Sequence, residues 1–207
     1  MGAGTQLIAN PFELLLQALG ALPGIGPKSA QRIAYYLLAR PVAEVETLIR
    51  GIMAARERLR LCERCFFMAW DQPLCSICSD PRRLPGQLLV VAEAKDLMAL
   101  EKLGSYHGYY HVLGGVLSPL HNVGAADLHL ESLLKRLSED KAIQELIFAL
   151  PQTVEAEATR SYILQGLGKI HFKLSQLATG LPVGGDLDYI DRLTLNQALK
   201  QRVILSP

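Results

Sequence analysis

Residues 62–78 read CERCFFMAWDQPLCSIC, and this stretch holds all four cysteines of the 207-residue chain. The spacing is Cys62-x2-Cys65-x9-Cys75-x2-Cys78, and each Cys-x2-Cys pair sets two thiolates on one tight turn. Four sulfur ligands close a tetrahedral shell and leave no position for water, which is typical of structural zinc. The alternatives are a redox pair and unligated buried cysteines, but a redox Cys-x2-Cys occurs once and usually opens a helix. The pattern therefore predicts one structural zinc per chain.

The sequence around these cysteines has little hydrophobic periodicity. Pro73, Pro81, Pro85 and Gly86 interrupt regular structure. Residues 61–86 are therefore expected to form a small separate module that metal binding holds together, with Trp70 packed over it.

On the N-terminal side, residues 10–40 predict two short helices joined by a tight turn. Pro11 suits the first turn of a helix, and apolar residues then recur at helical spacing. A third helix is expected over residues 42–60. Its inward stripe is expected to consist of Val45, Leu48, Ile49 and Ile52.

The turn between the first two helices reads LPGIGPKSA over residues 22–30. It differs from a nucleotide-binding P-loop, in which glycine directly precedes the lysine, because Pro27 intervenes. A helix-hairpin-helix fits better, since Gly24 and Gly26 let the backbone approach phosphate oxygens at a helix N-terminus. Lys28 and Arg32 share a helical face opposite the apolar stripe and would meet a DNA backbone. An ordinary helical hairpin with a solvated cationic face is the alternative.

From residue 87 the pattern alternates between strands and helices. Strands are expected over 88–92, 109–113, 145–150 and 170–174, and helices over 96–103, 127–137, 155–167 and near 193–199. Such alternation indicates a mostly parallel sheet with helices on its faces. The predicted fold class is therefore a multidomain α+β protein, with an N-terminal helical domain, a four-cysteine module, an α/β domain and a short C-terminal tail.

The net charge of +1 conceals an uneven distribution. Residues 1–60 carry seven arginines and lysines against four acids, whereas the chain beyond residue 86 is slightly acidic. An anionic partner is expected to meet the N-terminal third. No stretch has the length of apolar sequence that a membrane span needs, and no secretory signal is evident, so a cytoplasmic protein without membrane contact is expected.

In order, the helix-hairpin-helix, the four cysteines and the α/β unit beginning Leu89-Val90-Val91-Ala92-Glu93 resemble the RecR family of recombination mediators. Further matches to the family lie at residues 112–120, 153–159 and 180–187, so the resemblance covers about residues 10–202. The resemblance implies a helix-hairpin-helix domain over 1–60, a C4 zinc finger over 61–86, a Toprim domain over 87–181 and a C-terminal assembly segment over 182–207.

The same resemblance implies a function. A RecR-like protein assembles into a ring-like oligomer, a dimer or tetramer, around DNA. It acts with RecO and, in some lineages, RecF to load recombinase onto gapped DNA. The matching Lys28 and Arg32, beside Gly24 and Gly26, take the DNA-contacting role.

Catalytic Toprim domains use a glutamate after the first strand and an Asp-x-Asp pair after a later strand to hold Mg²⁺. Glu93 occupies the first position. After the 145–150 strand, however, this chain has Pro151-Gln152-Thr153, where the family usually has Asn-Pro, and the next acid is Glu155. We therefore expect no catalysis. Two acids, Glu93 and Glu155, are left either to attract a hydrated Mg²⁺ or to contact a partner protein. The alternatives are a Mg²⁺-dependent nuclease or primase, and a zinc-braced interaction protein without DNA contact.

Overall fold

The structure is a computed structural model that describes residues 10–168, 170–178, 180–181, 184 and 186–202. The chain divides into two compact units between Arg58 and Leu59. None of the helices in the described ranges is long and apolar enough to cross a membrane.

The first unit consists of helices α1 (Pro11–Gly20), α2 (Pro27–Leu38) and α3 (Val42–Arg58). The side chain of Asn10 caps α1 by accepting a 3.0 Å hydrogen bond from the amide of Phe12, as N-cap residues do. Phe12 packs on Tyr35 of α2 with 5.2 Å between ring centroids. The two expected helices and their tight turn are confirmed.

Helix α3 forms where it was expected, but its predicted inward stripe is wrong. Leu48, Ile49 and Ile52 are 49%, 53% and 60% exposed, and only Val45 of the stripe is half-buried. Helical periodicity identifies an apolar face, but it does not say which element covers that face.

The second unit begins with a hairpin that the sequence pattern did not reveal. Strands β1 (Leu59–Leu61) and β2 (Met68–Trp70) pair antiparallel across the first two cysteines. Ala69 faces inward and is buried, whereas Trp70 is 53% exposed. The expectation that Trp70 packs over the cysteine module is therefore wrong, since the alternation of a strand turns the neighbouring Ala69 to the core instead.

A four-stranded sheet follows, with the order β4-β3-β5-β6 and all neighbours parallel. Its strands are β3 (Gln87–Val91), β4 (Tyr109–Val112), β5 (Glu145–Ala149) and β6 (Lys173–Gln176). The helices of this part of the chain are α4 (Ala94–Leu103), α5 (Leu130–Glu139), α6 (Val154–Gly166) and α7 (Arg192–Lys200). The parallel α/β architecture is thereby confirmed, and the weakest strand begins three residues later than its pattern indicated.

The central strand β3 divides the hydrophobic core in two. Leu88 and Val90 join one cluster with α5 and α6, while Leu89 and Val91 join the other. The second cluster includes α4 and all four cysteines. Successive strand residues point to opposite faces, so the cysteine module is part of the core on one face of the sheet.

Candidate metal centre and nucleic-acid interface

The four cysteines converge on one point. All are buried, and their Sγ atoms lie within 4.8 Å of one another. A tetrahedral zinc with ~2.3 Å bonds to sulfur requires sulfur separations of about 3.8 Å. The cluster therefore has the ligand type and spacing for one such ion.

Hydrogen bonds favour negative charge on one sulfur of this cluster, that of Cys75. The amide of Cys75 donates to Cys62 Sγ at 3.3 Å, and the amide of Cys78 donates to Cys75 Sγ at 3.4 Å. Hydrogen bonds from the Cys65 and Cys78 thiols lower the pKa of Cys75 to about 2, while the bond to Cys75 raises the pKa of Cys65. A divalent cation would stabilise all four groups as thiolates.

The first cysteine knuckle is tied to the edge of the sheet. The amide of Val112 in β4 donates a 2.9 Å hydrogen bond to the carbonyl of Cys65. Arg136 of α5 donates to the carbonyls of Arg64 and Tyr110 at 3.2 and 2.9 Å. Sequence analysis did not identify Arg136, because the partners of its guanidinium lie 72 and 26 residues away along the chain.

Phe66, between the two knuckles, also reaches the sheet. It adopts the left-handed backbone conformation, with φ of 61°, and stacks on His129 at a centroid distance of 3.9 Å. Its ring meets His111 edge-on at 5.3 Å. Burial lowers the pKa of His111 to about 3, so this ring is neutral at physiological pH and serves as core.

The second knuckle continues into a further link between the module and the sheet. Arg83 lies shortly after Cys78 and forms a pair of hydrogen bonds with the carboxylate of Glu101 in α4, at 2.9 and 2.5 Å. Both side chains are largely buried. Arg82, next to it, is exposed and pairs with Asp80. The sequence does not distinguish these adjacent arginines, because only the fold decides which of them turns inward.

The helical hairpin of the first unit has the geometry of a phosphate-binding turn. Gly24 has φ of +77°, a conformation that favours glycine. Gly26 is the N-cap of α2 and provides no capping side chain, and Pro27 begins the helix. A Cβ at Gly26 would meet no atom within 4 Å. The turn is therefore uncrowded where α2 begins, and helix N-termini attract anions.

Lys28 and Arg32 stand on the exposed face of the same helix. Ala30 and Ala34, on the opposite face, are buried against α1. The structure thus places both cations about one turn apart on one exposed face, close to the glycine turn. Such a surface neutralises backbone phosphates without reading base sequence.

The two Toprim acids lie at the carboxyl ends of neighbouring strands. Glu93 follows β3 and is the N-cap of α4, where its carboxylate pairs with Lys95 at 2.9 Å. Glu155 lies in the first turn of α6, after β5. In the part of the chain that the structure describes, the four cysteines are the only group of three or more acids, histidines or cysteines close enough to share an ion. A carboxylate triad is therefore not assembled among those residues.

These features define a class of protein that joins a helical hairpin of helix-hairpin-helix type to a four-cysteine cluster and a parallel α/β domain. Three family models match the chain in one order. They are "RecR, helix-hairpin-helix" over residues 12–56, "Toprim domain" over 86–178 and "RecR, C-terminal" over 180–203.

Similar proteins carry one name, Recombination protein RecR. That of Bifidobacterium longum is 47% identical over 191 residues, which cover 92% of this chain and 94% of the relative. The Carboxydothermus hydrogenoformans protein is 46% identical over 197 residues, or 95% and 98% of the two chains. The Cyanothece protein is 43% identical over 197 residues, or 93% and 95%. The chain belongs to the RecR family, and its role is in DNA recombination and repair.

Proposed function

We propose that the protein is a non-catalytic mediator of recombinational repair that grips the DNA backbone through its helical hairpin. The supporting observation is the exposed pair Lys28 and Arg32 in the first two turns of α2, a helix whose N-cap Gly26 provides no capping side chain. Two cations per chain make few phosphate contacts, so binding by a single subunit is weak. A dimeric or tetrameric ring converts several weak contacts into avidity or encirclement of the strand.

In this proposal the cysteine cluster holds one Zn²⁺ per chain, which supplies no chemistry beyond fixing the fold. Cys62, Cys65, Cys75 and Cys78 are its ligands. Because the first knuckle hydrogen-bonds to β4, the metal keeps the hairpin β1–β2 joined to the sheet.

The Toprim sheet serves as a docking surface for partner proteins. Glu93 and Glu155 flank the carboxyl ends of β3 and β5 and provide negative charge there. We assign this edge to a RecO-like protein and, where present, a RecF-like protein, with which the ring delivers recombinase to gapped DNA. The C-terminal segment 182–207, parts of which lie outside the described residues, is assigned to assembly of the ring.

Charge reversal tests the proposal. Lys28→Glu combined with Arg32→Glu should strongly weaken binding to gapped duplex at low salt. Lys102→Glu combined with Lys135→Glu, a control that reverses two exposed lysines of the second unit, should bind nearly as well as wild type. Salt titration should also show a smaller dependence of affinity on ionic strength in the hairpin variant, because fewer counterions are released. Undiminished binding by the hairpin variant would refute the proposal.

Partner docking has a separate test. Glu93→Lys and Glu155→Lys should weaken the complex with a RecO-like protein while DNA affinity stays close to that of wild type. Loss of DNA binding with the partner complex intact would contradict the proposal, because it would show that these acids act in DNA binding and not in partner docking.

The Toprim fold itself favours a second candidate, a Mg²⁺-dependent nuclease or primase that uses Glu93. That candidate predicts strand cleavage or synthesis that depends on Mg²⁺ and is abolished by Glu93→Gln. We expect neither reaction, because the position after β5 holds Pro151-Gln152-Thr153 instead of an acidic pair.

A further inference from the structure

The exposed face of α2 continues beyond Lys28 and Arg32. Tyr36 follows Arg32 by four residues, as Arg32 follows Lys28, and residues four apart form a ridge along a helix. All three residues are exposed, and α2 contains no acid. Arg40 lies two residues beyond the end of α2, and its guanidinium carbon lies over the Tyr36 ring, 4.5 Å from the centroid. The ridge therefore presents a cationic group at each of three successive turns.

The guanidinium of Arg40 has two neighbours, and neither prevents it from binding an anion. The carboxylate of Glu44 lies 3.8 Å away, which is too long for a hydrogen bond. The two side chains of this pair are 45% and 57% exposed, and such exposed pairs contribute little to stability. The contact with the Tyr36 ring is a cation–π interaction, which provides no oxygen acceptor for the N–H donors of a guanidinium. These donors can therefore still meet a phosphate.

The spacing of the ridge matches a nucleic-acid backbone. Successive members are four residues apart, or about 6 Å along the helix axis, so the three positions extend over about 12 Å. One strand of a duplex carries a phosphate about every 3.4 Å along its axis, which gives about three or four phosphates over that length. Each of the three cations can thus meet a different phosphate of one strand.

The direction of the ridge selects this ligand. Lys28 and Arg32 lie on the first two turns of α2, and a strand that runs on along the ridge next meets the guanidinium that lies over Tyr36. Three cationic groups about one turn apart fit an extended chain with regularly spaced negative charges. An isolated phosphate or carboxylate would occupy only one of these positions, whereas the backbone of DNA can occupy all three.

We propose that Arg40 is a third phosphate contact of the DNA-binding face, and that Tyr36 is a positioning residue that holds its guanidinium over the ridge. This inference rests on the proposed DNA-binding function and deepens it. Helix α2 lies alongside one strand of the DNA instead of touching it with its N-terminus alone. Because these contacts are made to the backbone, they add affinity without a preference for base sequence.

Salt titration of gapped-duplex binding by the intact protein measures the number of phosphate contacts. Arg40→Gln should weaken binding about tenfold at low salt, as expected for the loss of one hydrogen bond to a charged group. The slope of log affinity against log salt should fall by about one for each subunit that engages the DNA.

Arg50→Gln is a matched control for the loss of charge. It removes another exposed arginine of the first unit, and this arginine also pairs with a glutamate four residues away, Glu46. Both affinity and slope should stay close to those of wild type. An unchanged slope in Arg40→Gln, or an equal change in Arg50→Gln, would overturn the proposal.

Tyr36 has a test of its own. Tyr36→Phe keeps the ring and should bind as wild type, whereas Tyr36→Leu should weaken binding by about two- to fivefold, in line with the loss of an exposed cation–π contact. The salt slope of Tyr36→Leu should be unchanged, because Arg40 still provides its charge. Added to Arg40→Gln, Tyr36→Leu should cause no further loss, since the ring acts through the guanidinium. Additive losses would refute the positioning role.

The two proposals fail separately. If the hairpin assignment is wrong, Lys28→Glu with Arg32→Glu keeps its affinity for gapped duplex, whatever Arg40→Gln does. If only the assignment of Arg40 is wrong, that double variant loses affinity while Arg40→Gln keeps the affinity and salt slope of wild type.

Discussion

The amide of Val112 donates a 2.9 Å hydrogen bond to the carbonyl of Cys65, so the first cysteine knuckle pairs with the outer strand of the sheet. Strand β4 would otherwise present an unpaired edge there, and covering an edge prevents it from pairing with other chains. The metal cluster and the sheet are consequently parts of one core, in which Leu89, Val91 and Tyr110 accompany the cysteines.

Removal of the metal should therefore destabilise the sheet as well as the cysteine module. A structural zinc contributes about 10–16 kcal/mol of binding free energy to folding, comparable to the whole stability of a domain. Cys75→Ser should lose the metal and unfold the second unit at least in part, whereas Ser76→Ala should keep one zinc per chain. Metal analysis measures the zinc content of each variant, and circular dichroism measures its folding. A metal-free variant with native stability would contradict the prediction.

Arg83 and Arg82 form a matched pair for testing the second link between module and sheet. Arg83→Met leaves the carboxylate of Glu101 largely buried without its partner, which should lower the free energy of unfolding by about 2–4 kcal/mol. Arg82→Met removes an exposed side chain and should leave stability close to that of wild type. Urea denaturation measures the free energy of unfolding of the two variants. Similar values for both would show that the buried pair contributes little to stability.

The same pair should make stability depend on pH. The guanidinium of Arg83 lowers the pKa of Glu101 below its ordinary value. The contribution of the pair is therefore fully present above the pKa of about 4.3 in the unfolded chain and is lost as the pH falls through the lower folded value. The stability difference between wild type and Arg83→Met should be largest near neutrality and should shrink in acid. A stability difference that grows below pH 4 would contradict the predicted direction of the pH dependence.

Arg136 can be compared with its exposed neighbour Lys135. Arg136→Met leaves the carbonyls of Arg64 and Tyr110 without these hydrogen bonds, and buried unpaired groups cost about 1–3 kcal/mol each. Lys135→Met removes a cation from the exposed side of the same helix and should change stability little. Thermal unfolding with metal analysis should show a lower midpoint for Arg136→Met alone; equal midpoints would exclude a bracing role.

Substitutions of the two hairpin glycines should affect different properties, stability in one case and DNA binding in the other. Gly24→Ala imposes a left-handed conformation on a residue with a side chain, at a cost of about 1–2 kcal/mol, and should destabilise the first unit. Gly26→Ala meets no neighbouring atom, so it should leave stability unchanged but weaken DNA binding by keeping phosphates from the amides. Denaturation and DNA titration of both variants separate the effects, and unaltered DNA affinity of Gly26→Ala would count against direct backbone contact.

The convergence of the four cysteines and the helical hairpin could be predicted from spacing alone. Four cysteines in two close pairs, and two glycines before a proline that begins a helix, depend on chemistry within a few residues. The parallel sheet was equally accessible, since buried strands and amphipathic helices repeat at their own periods along the chain.

Other features depended on which segments meet. The hairpin β1–β2 was missed because strands of three residues are too short to show a recognisable alternation of apolar and polar residues. Trp70 was expected to pack over the cysteine module, yet the register of β2 turns Ala69 inward and leaves Trp70 exposed. The stripe of α3 was taken to be inward because an apolar face usually is, although Leu48 and Ile49 remain exposed.

The sequence by itself determined the local chemistry of this protein: which residues can hold a metal, where the glycine turn precedes helix α2, and where the strands of the parallel sheet lie. Tertiary structure alone decided that Arg83 turns inward while Arg82 does not, that Arg136 joins the knuckle to the sheet, and that Trp70 faces outward. The physical reason is that burial and hydrogen bonding of these side chains depend on partners 18 to 72 residues away, and spacing within a short segment carries no information about such distant partners.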